Sequence, residues 1–355
     1  MGVPGFIGVG GDGSTPDLHV LLRGLQAHLA DGLLVVVGSG MSVAQGLPSM
    51  TTLAEHLVVN MPSRLAAEWA PVAASVRTQG LEAALRNAEV SPDLAAAMRR
   101  LTAELVAAGE ADALRAILAE GRVPGLGLLL GHLAPIVQDA LPVVTTNSDR
   151  LIEVSAEVAG WGVDSQFTGH YLAQERQTRQ PLGFVQGVAR AGKGYRLQYR
   201  QRIDLCKPHG SLDWFDLGGQ PVRSALPFGQ EPLIITPGAA KYKDGYARPF
   251  DRHRERANHQ IDSAARFLIL GYGFNDDHLE THLAPRMRAG AETVILTREL
   301  TLSAKTLLRQ CPRSVALCSR ATPDSGFELH TASGSAEYDG DALWQLTTFV
   351  EKGVA

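Results

Sequence analysis

The chain is poor in the features that would assign it quickly to a class. It has three cysteines in 355 residues, Cys206, Cys311 and Cys318, and no two of them form a C-x-x-C pair. Such a set cannot supply a disulfide framework, and the thiols are expected to be free and buried. Cys206 stands just ahead of His209, where a buried strand cysteine and a reactive thiol are the two readings. Charge of one sign is also lacking: 33 Lys+Arg face 37 Asp+Glu, a net charge of −4. The chain as a whole therefore carries no electrostatic footprint for nucleic acid, and no direct nucleic-acid binding is expected unless a local basic loop supplies it. No apolar run has the length of a membrane span, so no membrane partner is expected. The glycine-rich start, MGVPGFIGVGGDGSTPDL, has neither a basic opening nor an apolar core, which argues against a secretory signal. With 45% hydrophobic and 20% charged residues, the expectation is a cytoplasmic globular protein with a sizeable core, in one large domain or two.

What is present is an alternation of apolar runs and helical patterns. Leu33–Val37 is unbroken apolar sequence suited to a strand covered on both faces, and a helix is expected from about Ser49 or Thr51. From Pro62 to Leu141 the texture becomes alanine- and leucine-rich. Ser91 reads as an N-cap with Pro92 at the first helical position, and Leu94, Met98, Leu101 and Leu105 recur at helical spacing up to a stop at Gly109. Further helices are expected over 65–75, 81–88, 111–120 and 125–140. This stretch, 62–141, is read as a helical insertion, and its charges as solvated faces. Strands are expected at Pro142–Thr146 and over 202–206, 232–237, 266–272, 293–297 and 314–318, with helices over 252–265, 277–289, 303–310 and 341–352. Residues 160–202 form a long Gly-, Gln- and Arg-rich stretch. Strands alternating with helices predict an α/β fold with a doubly wound, parallel, Rossmann-like sheet, residues 1–355 forming one domain with the insertion inside it.

Four polar loops follow or adjoin these strands, and loops after parallel strands gather at one edge, where ligands bind. In the first, Gly38-Ser39-Gly40 lets a backbone approach a pyrophosphate, with Ser39 and Ser42 as hydroxyl donors. A glycine turn needed only for packing explains those residues equally well. In the second, Thr145-Thr146-Asn147-Ser148-Asp149 sets hydroxyls, an amide and a carboxylate at a strand end, where a plain helix cap is the other reading. In the third, His209 leaves a sheet edge beside Gly210, and an imidazole changes charge near neutral pH, as a general base must. In the fourth, Gly271-Tyr272-Gly273-Phe274-Asn275-Asp276 follows the most apolar strand of the C-terminal half, and doubles as a cap for the next helix.

Taken in order, these loops resemble the sirtuin-like NAD-consuming family. Gly38-Ser39-Gly40 with Ser42, then Gly46-Leu47-Pro48, is similar to the family's G-A-G-x-S followed by G-I-P. Thr145-Thr146-Asn147-x-Asp149 resembles the T-T-N-x-D form of its bacterial hydrolase branch, and Pro208-His209-Gly210 resembles the H-G loop. The resemblance runs from about Leu33 to Glu280. It implies NAD as substrate, bound by Gly38, Ser39, Gly40, Ser42, Pro48, Thr146 and Asn147, with Gly271, Tyr272, Asn275 and Asp276 beside the adenosine half. It also implies Asn147 as the residue that positions water or the ribose at C1′, Asp149 as the residue that holds Asn147 or the nicotinamide amide, and His209 as the base.

The chain departs from the deacylase branch of that family. It has no four-cysteine zinc ribbon, so no metal is expected, and Ser49-Met50-Thr51 stands where an Asp-Phe-Arg segment follows G-I-P. Both departures, with the insertion, resemble the NAD hydrolases of anti-phage defence, which implies cleavage of the nicotinamide–ribose bond through an oxocarbenium-like transition state. An NAD-dependent protein deacylase, a dehydrogenase and a non-catalytic nucleotide-binding scaffold are the alternatives. A dehydrogenase would place an acidic residue at a strand end some twenty residues past the glycines, and Glu55 lies instead in an expected helix. An NAD-degrading site needs restraint, so a homo-oligomer is expected, or a separate regulatory partner such as a motor ATPase.

Overall fold

The structure, a computed structural model, describes residues 17–86, 88–176, 181–226, 229–236, 248–321 and 325–354. Among them are helices α1 (Leu18–His28), α2 (Ser39–Val43), α3 (Met50–Asn60), α4 (Ala66–Gln79), α5 (Leu81–Arg86), α6 (Pro92–Leu118), α7 (Gly125–Leu133), α8 (Leu151–Val158), α9 (Phe250–Ser263), α10 (Asp277–Arg288), α11 (Leu302–Leu308) and α12 (Leu346–Thr348). The strands are β1 (Leu33–Val37), β2 (Ala140–Thr145), β3 (Gly162–Asp164), β4 (Phe167–Thr168), β5 (Leu172–Glu175), β6 (Val185–Ala191), β7 (Gly194–Tyr199), β8 (Arg202–Cys206), β9 (Trp214–Leu217), β10 (Gln220–Ser224), β11 (Arg266–Leu270), β12 (Glu292–Thr297), β13 (Ser314–Cys318), β14 (Phe327–Thr331) and β15 (Ser335–Tyr338).

Nine strands form the central sheet in the order β15-β14-β13-β12-β11-β1-β2-β8-β3. Every pairing from β13 to β3 is parallel, and β14 and β15 extend the sheet antiparallel. The central strands read as continuous apolar runs because both faces are covered. One face packs Val35, Val143 and Leu268 against Leu25, Leu129 and Ile152. The other packs Val36, Phe267 and Ile269 against Ile261, Leu283 and Leu307. Helices on both faces of a parallel sheet make the doubly wound α/β architecture expected of the sequence.

Between Pro62 and Leu133 the described residues hold only helices and turns, and α3 to α6 share a core of their own that includes Leu57, Trp69, Leu85, Leu94 and Met98. Ser91 caps α6 as expected, its Oγ accepting from the Leu94 amide at 3.2 Å. Gly109 does not stop the helix: α6 runs on to Leu118, 27 residues in all. A Cβ at Gly109 would sit 3.1 Å from Pro48 Cδ and 3.4 Å from Leu47 Cα, so this glycine lets the loop after α2 lie directly on α6. The helix expected over 111–120 is the end of α6, and that over 125–140 is cut short as β2 begins at Ala140.

Other expectations are corrected. The long stretch 160–202, read by composition alone, carries β3 to β7, short strands that leave little periodicity to read. Of the strand expected over 232–237, only a bridge between Gly210 and Ile234 is present, and Pro237 lies outside the described residues. The segment pairs with the His209 loop: Ser211 N donates to Leu233 O at 3.2 Å and Ile235 N to His209 O at 2.9 Å. The expected helix 341–352 is reduced to α12 and a wide turn over Phe349–Gly353. The N-terminal reading falls largely on residues 1–16, outside the described residues. All three cysteines are free and buried, and burial raises the Cys206 thiol well above its ordinary range. Among the described residues no helix is long and apolar enough to cross a membrane.

Helix α1, which the sequence pattern did not disclose, closes under β11 through His28, whose Nε2 donates to Phe267 O at 2.9 Å. Burial lowers the His28 pKa to about 4. Its folded value is depressed, so its contribution to stability is present above the unfolded value of 6.5 and is lost as pH falls toward 4. A His28→Gln variant keeps a donor but does not titrate. The stability advantage of the natural chain over it, read by urea unfolding, is therefore expected to shrink by about 1.4 kcal/mol per pH unit below pH 6.5. A pH-independent difference would place the proton elsewhere.

Candidate active site

Strand register brings the four loops together. Val37 pairs with Leu270 on one side and Thr145 on the other, and Val144 pairs with Cys206. The loops that begin at Gly38, Thr146, Lys207 and Gly271 therefore leave the sheet side by side. The chain winds from β1 toward β2 and β8, while β11 lies on the other flank of β1. That reversal is the switch point where open α/β sheets form a ligand crevice.

A cavity of about 260 Å³ opens there, lined by Ser39, Ser42, Pro48, Thr146, Asn147, Asp149, His209, Tyr272, Asn275 and Asp276. Those residues are the ones singled out in the sequence, except for three glycines. The opposite wall was not anticipated: Glu82 of α5, and Thr102 and Val106 of α6 come from the helical stretch, Leu53 from α3 just before it, and Ile235 and Thr236 from the segment that braces His209. Only the apolar spacing of α6 hinted at a face, and it could not say that part of this face closes a cavity.

Gly38, Gly40 and Gly271 do not line the cavity. A Cβ on Gly38 would lie 2.4 Å from Tyr272 Cα and 2.5 Å from Gly271 O, and one on Gly40 would lie 2.9 Å from both Gly271 Cα and Gly271 O. The Gly40 amide donates to Gly271 O at 3.0 Å, and the Gly38 amide to Leu270 O at 2.8 Å. Contact between two loops therefore accounts for both glycines, which is the packing explanation of the motif. Gly38→Ala is accordingly expected to lower unfolding stability by about 1–3 kcal/mol through overpacking against backbone. Thermal unfolding checks this, and an unchanged midpoint with lost ligand binding would restore the phosphate role.

Inside the cavity the polar groups form a chain of hydrogen bonds. Thr145 Oγ1 donates to Val37 O at 2.7 Å and accepts from the Asn147 amide at 3.1 Å, which ties the second loop to the first strand. Asn147 Nδ2 donates to Gly38 O at 3.0 Å and to Ser42 Oγ at 2.9 Å. Ser42 Oγ in turn donates to Asp149 Oδ2 at 2.6 Å, and Asp149 Oδ1 accepts from the Leu151 amide at 3.1 Å. Asp149 is thus linked to Asn147 through Ser42 and also takes the first amide of α8. With its nitrogen engaged, Asn147 presents its amide oxygen, an acceptor without a partner among the described residues.

His209 Nε2 lies 2.9 Å from Asp276 Oδ2, with the side chains 13% and 8% exposed. Asp276 Oδ1 meanwhile accepts from the His278 and Leu279 amides at 3.1 and 3.0 Å, capping α10. The sequence suggested a cap or an adenosine contact for Asp276. The structure keeps the cap and adds a histidine partner 67 residues away in the chain. Asn275 lies at the exposed rim, its Oδ1 accepting from Ser303 Oγ at 3.2 Å. The Tyr272 ring is buried, and burial, with Asp276 and Glu280 adding, pushes its pKa well above the ordinary phenol value.

Behind the loops, Lys207 is fully buried, and its Nζ donates to Glu153 Oε1 at 2.9 Å and to the Asp149 carbonyl. Its backbone amide donates to Nδ1 of His253, whose ring lies 4.4 Å from that of Trp214. Burial holds His253 neutral, with its pKa near 3. Among the described residues no group of three His, Cys, Asp or Glu side chains is placed to hold a metal.

No protein-family model matches the chain, and no curated protein does. Solved Sir2 structures do align with it. One, determined for the structural basis of the mechanism and regulation of Sir2 enzymes, is 13% identical with a TM-score of 0.40, covering 94% of this chain and 97% of its own. Sir2Tm bound to a propionylated peptide is 11% identical with a TM-score of 0.38, covering 79% and 88%. A Sir2 variant with a deacetylated peptide and 3′-O-acetyl ADP-ribose is 13% identical with a TM-score of 0.38, covering 81% and 89%.

Proposed function

We propose that the chain hydrolyses NAD at the bond between nicotinamide and ribose, as an NAD-depleting effector of bacterial anti-phage defence. The observation that carries the reading is the single cavity in which Asn147, Asp149 and His209 meet at the switch point. In this reading residues 1–355 are one NAD-binding unit, and the helical insertion, 62–141, walls its site. The lining suits the reacting end of the substrate. Glu82, Asp149 and Asp276 surround it with carboxylates, and no Lys or Arg is among the described lining residues, so a cationic nicotinamide and an oxocarbenium-like transition state meet negative charge. Ser39, together with groups at the rim, is left to meet the phosphates.

In the reaction, the C1′–N bond breaks with its electron pair passing to the pyridinium nitrogen, so nicotinamide leaves neutral and needs no acid. Water attacks C1′, held by the Asn147 amide oxygen, and His209 takes the proton it loses. A carboxylate beside an imidazole fixes the ring and meets the charge it gains, which assigns Asp276 to orienting His209. The chain is read as working in the cytoplasm as an assembly of copies, with a separate regulator; exposed Val59 and Leu118 offer apolar surface for such contacts.

Incubation of the purified chain with NAD alone, with products separated by chromatography, is expected to yield nicotinamide and ADP-ribose in equal amounts. Release of nicotinamide only when an acylated peptide is added would assign deacylation to this site. Intact NAD under both conditions would leave a binding scaffold.

A further inference from the structure

The hairpin of β6 and β7 forms a two-stranded sheet of its own, joined to neither larger sheet. From Arg176 to Ile203 the sequence has no Asp or Glu, yet it carries Arg176, Arg179, Arg190, Lys193, Arg196, Arg200 and Arg202. Arg176 and Arg202 are paired with Asp164 and Asp139 at the base. Among the described residues no carboxylate lies within ion-pair distance of Arg190, Lys193 or Arg196, although the chain is acidic overall.

Register decides where these cations point. Arg190 is opposite Tyr195, Val188 opposite Leu197 and Ala189 opposite Arg196. Residues opposite one another share a face and successive residues alternate. One face therefore carries the Arg190–Tyr195 pair beside the Val188–Leu197 pair, the other carries Arg196, and Lys193 sits in the turn. Tyr195 is 81% exposed and Val188 58%. A lone hairpin is marginally stable by itself, and its cations and Tyr195 are open to a partner.

The base is fixed. The Phe184 ring lies over Gly162, where a Cβ would come within 2.7 Å of it, and the Gly162 amide donates to Gln201 O at 2.9 Å. Gly162 pairs with Arg202 at the start of β3 and β8. The arm thus leaves the sheet at the edge opposite the cavity, a strand length of about 15 Å away.

We propose that this hairpin is a DNA-binding arm that enters the major groove of a duplex. A B-form major groove, about 12 Å wide, admits a two-stranded ribbon and bears phosphates on both walls, which is the partner that cations on both faces and at the tip fit. A single strand would engage one face only, and the major groove of duplex RNA is too narrow. The net charge of −4 does not oppose this, because exposed charges act within a screening length of about 10 Å. The inference is independent of the chemistry proposed for the cavity.

Fluorescence anisotropy of the full chain with a labelled duplex of about 20 base pairs, two helical turns, tests it. Binding is expected at about 50 mM salt, with a log–log salt slope of about −3 for three phosphate contacts. Arg190→Glu with Arg196→Glu is expected to weaken it tenfold or more at an unchanged unfolding temperature. Tyr195→Ala, which keeps the charge, is expected to retain the salt slope. The proposal is overturned by absence of binding at low salt, by equal binding of the charge-reversed variant, or by tighter binding of single-stranded DNA, duplex RNA or anionic lipid vesicles.

Discussion

Asn147→Ala and His209→Ala are each expected to lower NAD turnover by about 10²–10⁴-fold, the scale of lost positioning or proton transfer. Asn147 is 8% exposed, and its side chain is locked by Gly38 O and Ser42 Oγ; the amide oxygen is held where water or a ribose hydroxyl would sit. Alanine removes the acceptor and also leaves the Gly38 carbonyl short of a donor, so a stability loss of about 1–3 kcal/mol accompanies the kinetic one. His209→Ala should separate the two effects better, because its ring meets a carboxylate rather than holding backbone. Unfolding should shift little while turnover collapses. Ser42→Ala gives a graded comparison: it cuts the link between Asp149 and Asn147, leaves both present, and should fall between the natural chain and Asn147→Ala. Initial rates of nicotinamide release decide the matter, and full activity in either alanine variant would move the chemistry out of this cavity.

The sheet was legible because its strands are covered on both faces. Leu33–Val37 and Arg266–Leu270 announce themselves as unbroken apolar runs, and polar residues directly after them mark loops at a ligand edge. What stayed hidden depends on contacts between distant residues. Gly38 and Gly271 each stand against the other's loop, a constraint that neither local sequence contains, so sequence alone could not separate a packing turn from a phosphate cradle. Gly109 has the spelling of a helix stop and is instead a contact with Pro48. Asp276 carries a cap signature, and nothing near it in sequence points to His209. Residues 185–199 illustrate the converse, since a composition count averages a basic arm against an acidic body and reports near neutrality. Short strands interrupted by glycines gave no periodicity to rescue that reading.

Lys207→Met is expected to be among the most destabilising single changes in the chain, by about 3–5 kcal/mol, because it leaves a buried carboxylate without its partner. Burial alone would drive Lys207 neutral, but Glu153, Asp149 and Asp213 outweigh it and raise its pKa, so the ammonium is present in the folded state. Glu153 is pulled the other way: burial raises its carboxyl above the ordinary value of 4.5, and Lys207 is the main group opposing that. Without Lys207, Glu153 faces Asp213 in a dry interior and stays protonated to higher pH. A folded carboxyl pKa above the unfolded one means that the native state binds the extra proton, so stability falls as pH rises beyond the unfolded value. The deficit of Lys207→Met should therefore be largest at neutral pH and shrink on acidification toward pH 5. Adding Glu153→Met should recover part of the loss, since an apolar pair of similar size removes the stranded charge. Recovery should stay incomplete, because the Asp149 carbonyl, which holds the active loop in place, still lacks its donor. The loop defect predicts that the double variant regains stability more fully than turnover. Urea unfolding at pH 7 and pH 5 beside the nicotinamide-release assay reads both. A Lys207→Met protein within about 0.5 kcal/mol of the natural chain, the range of ordinary surface changes, would show that this lysine neither braces the loop nor neutralises Glu153.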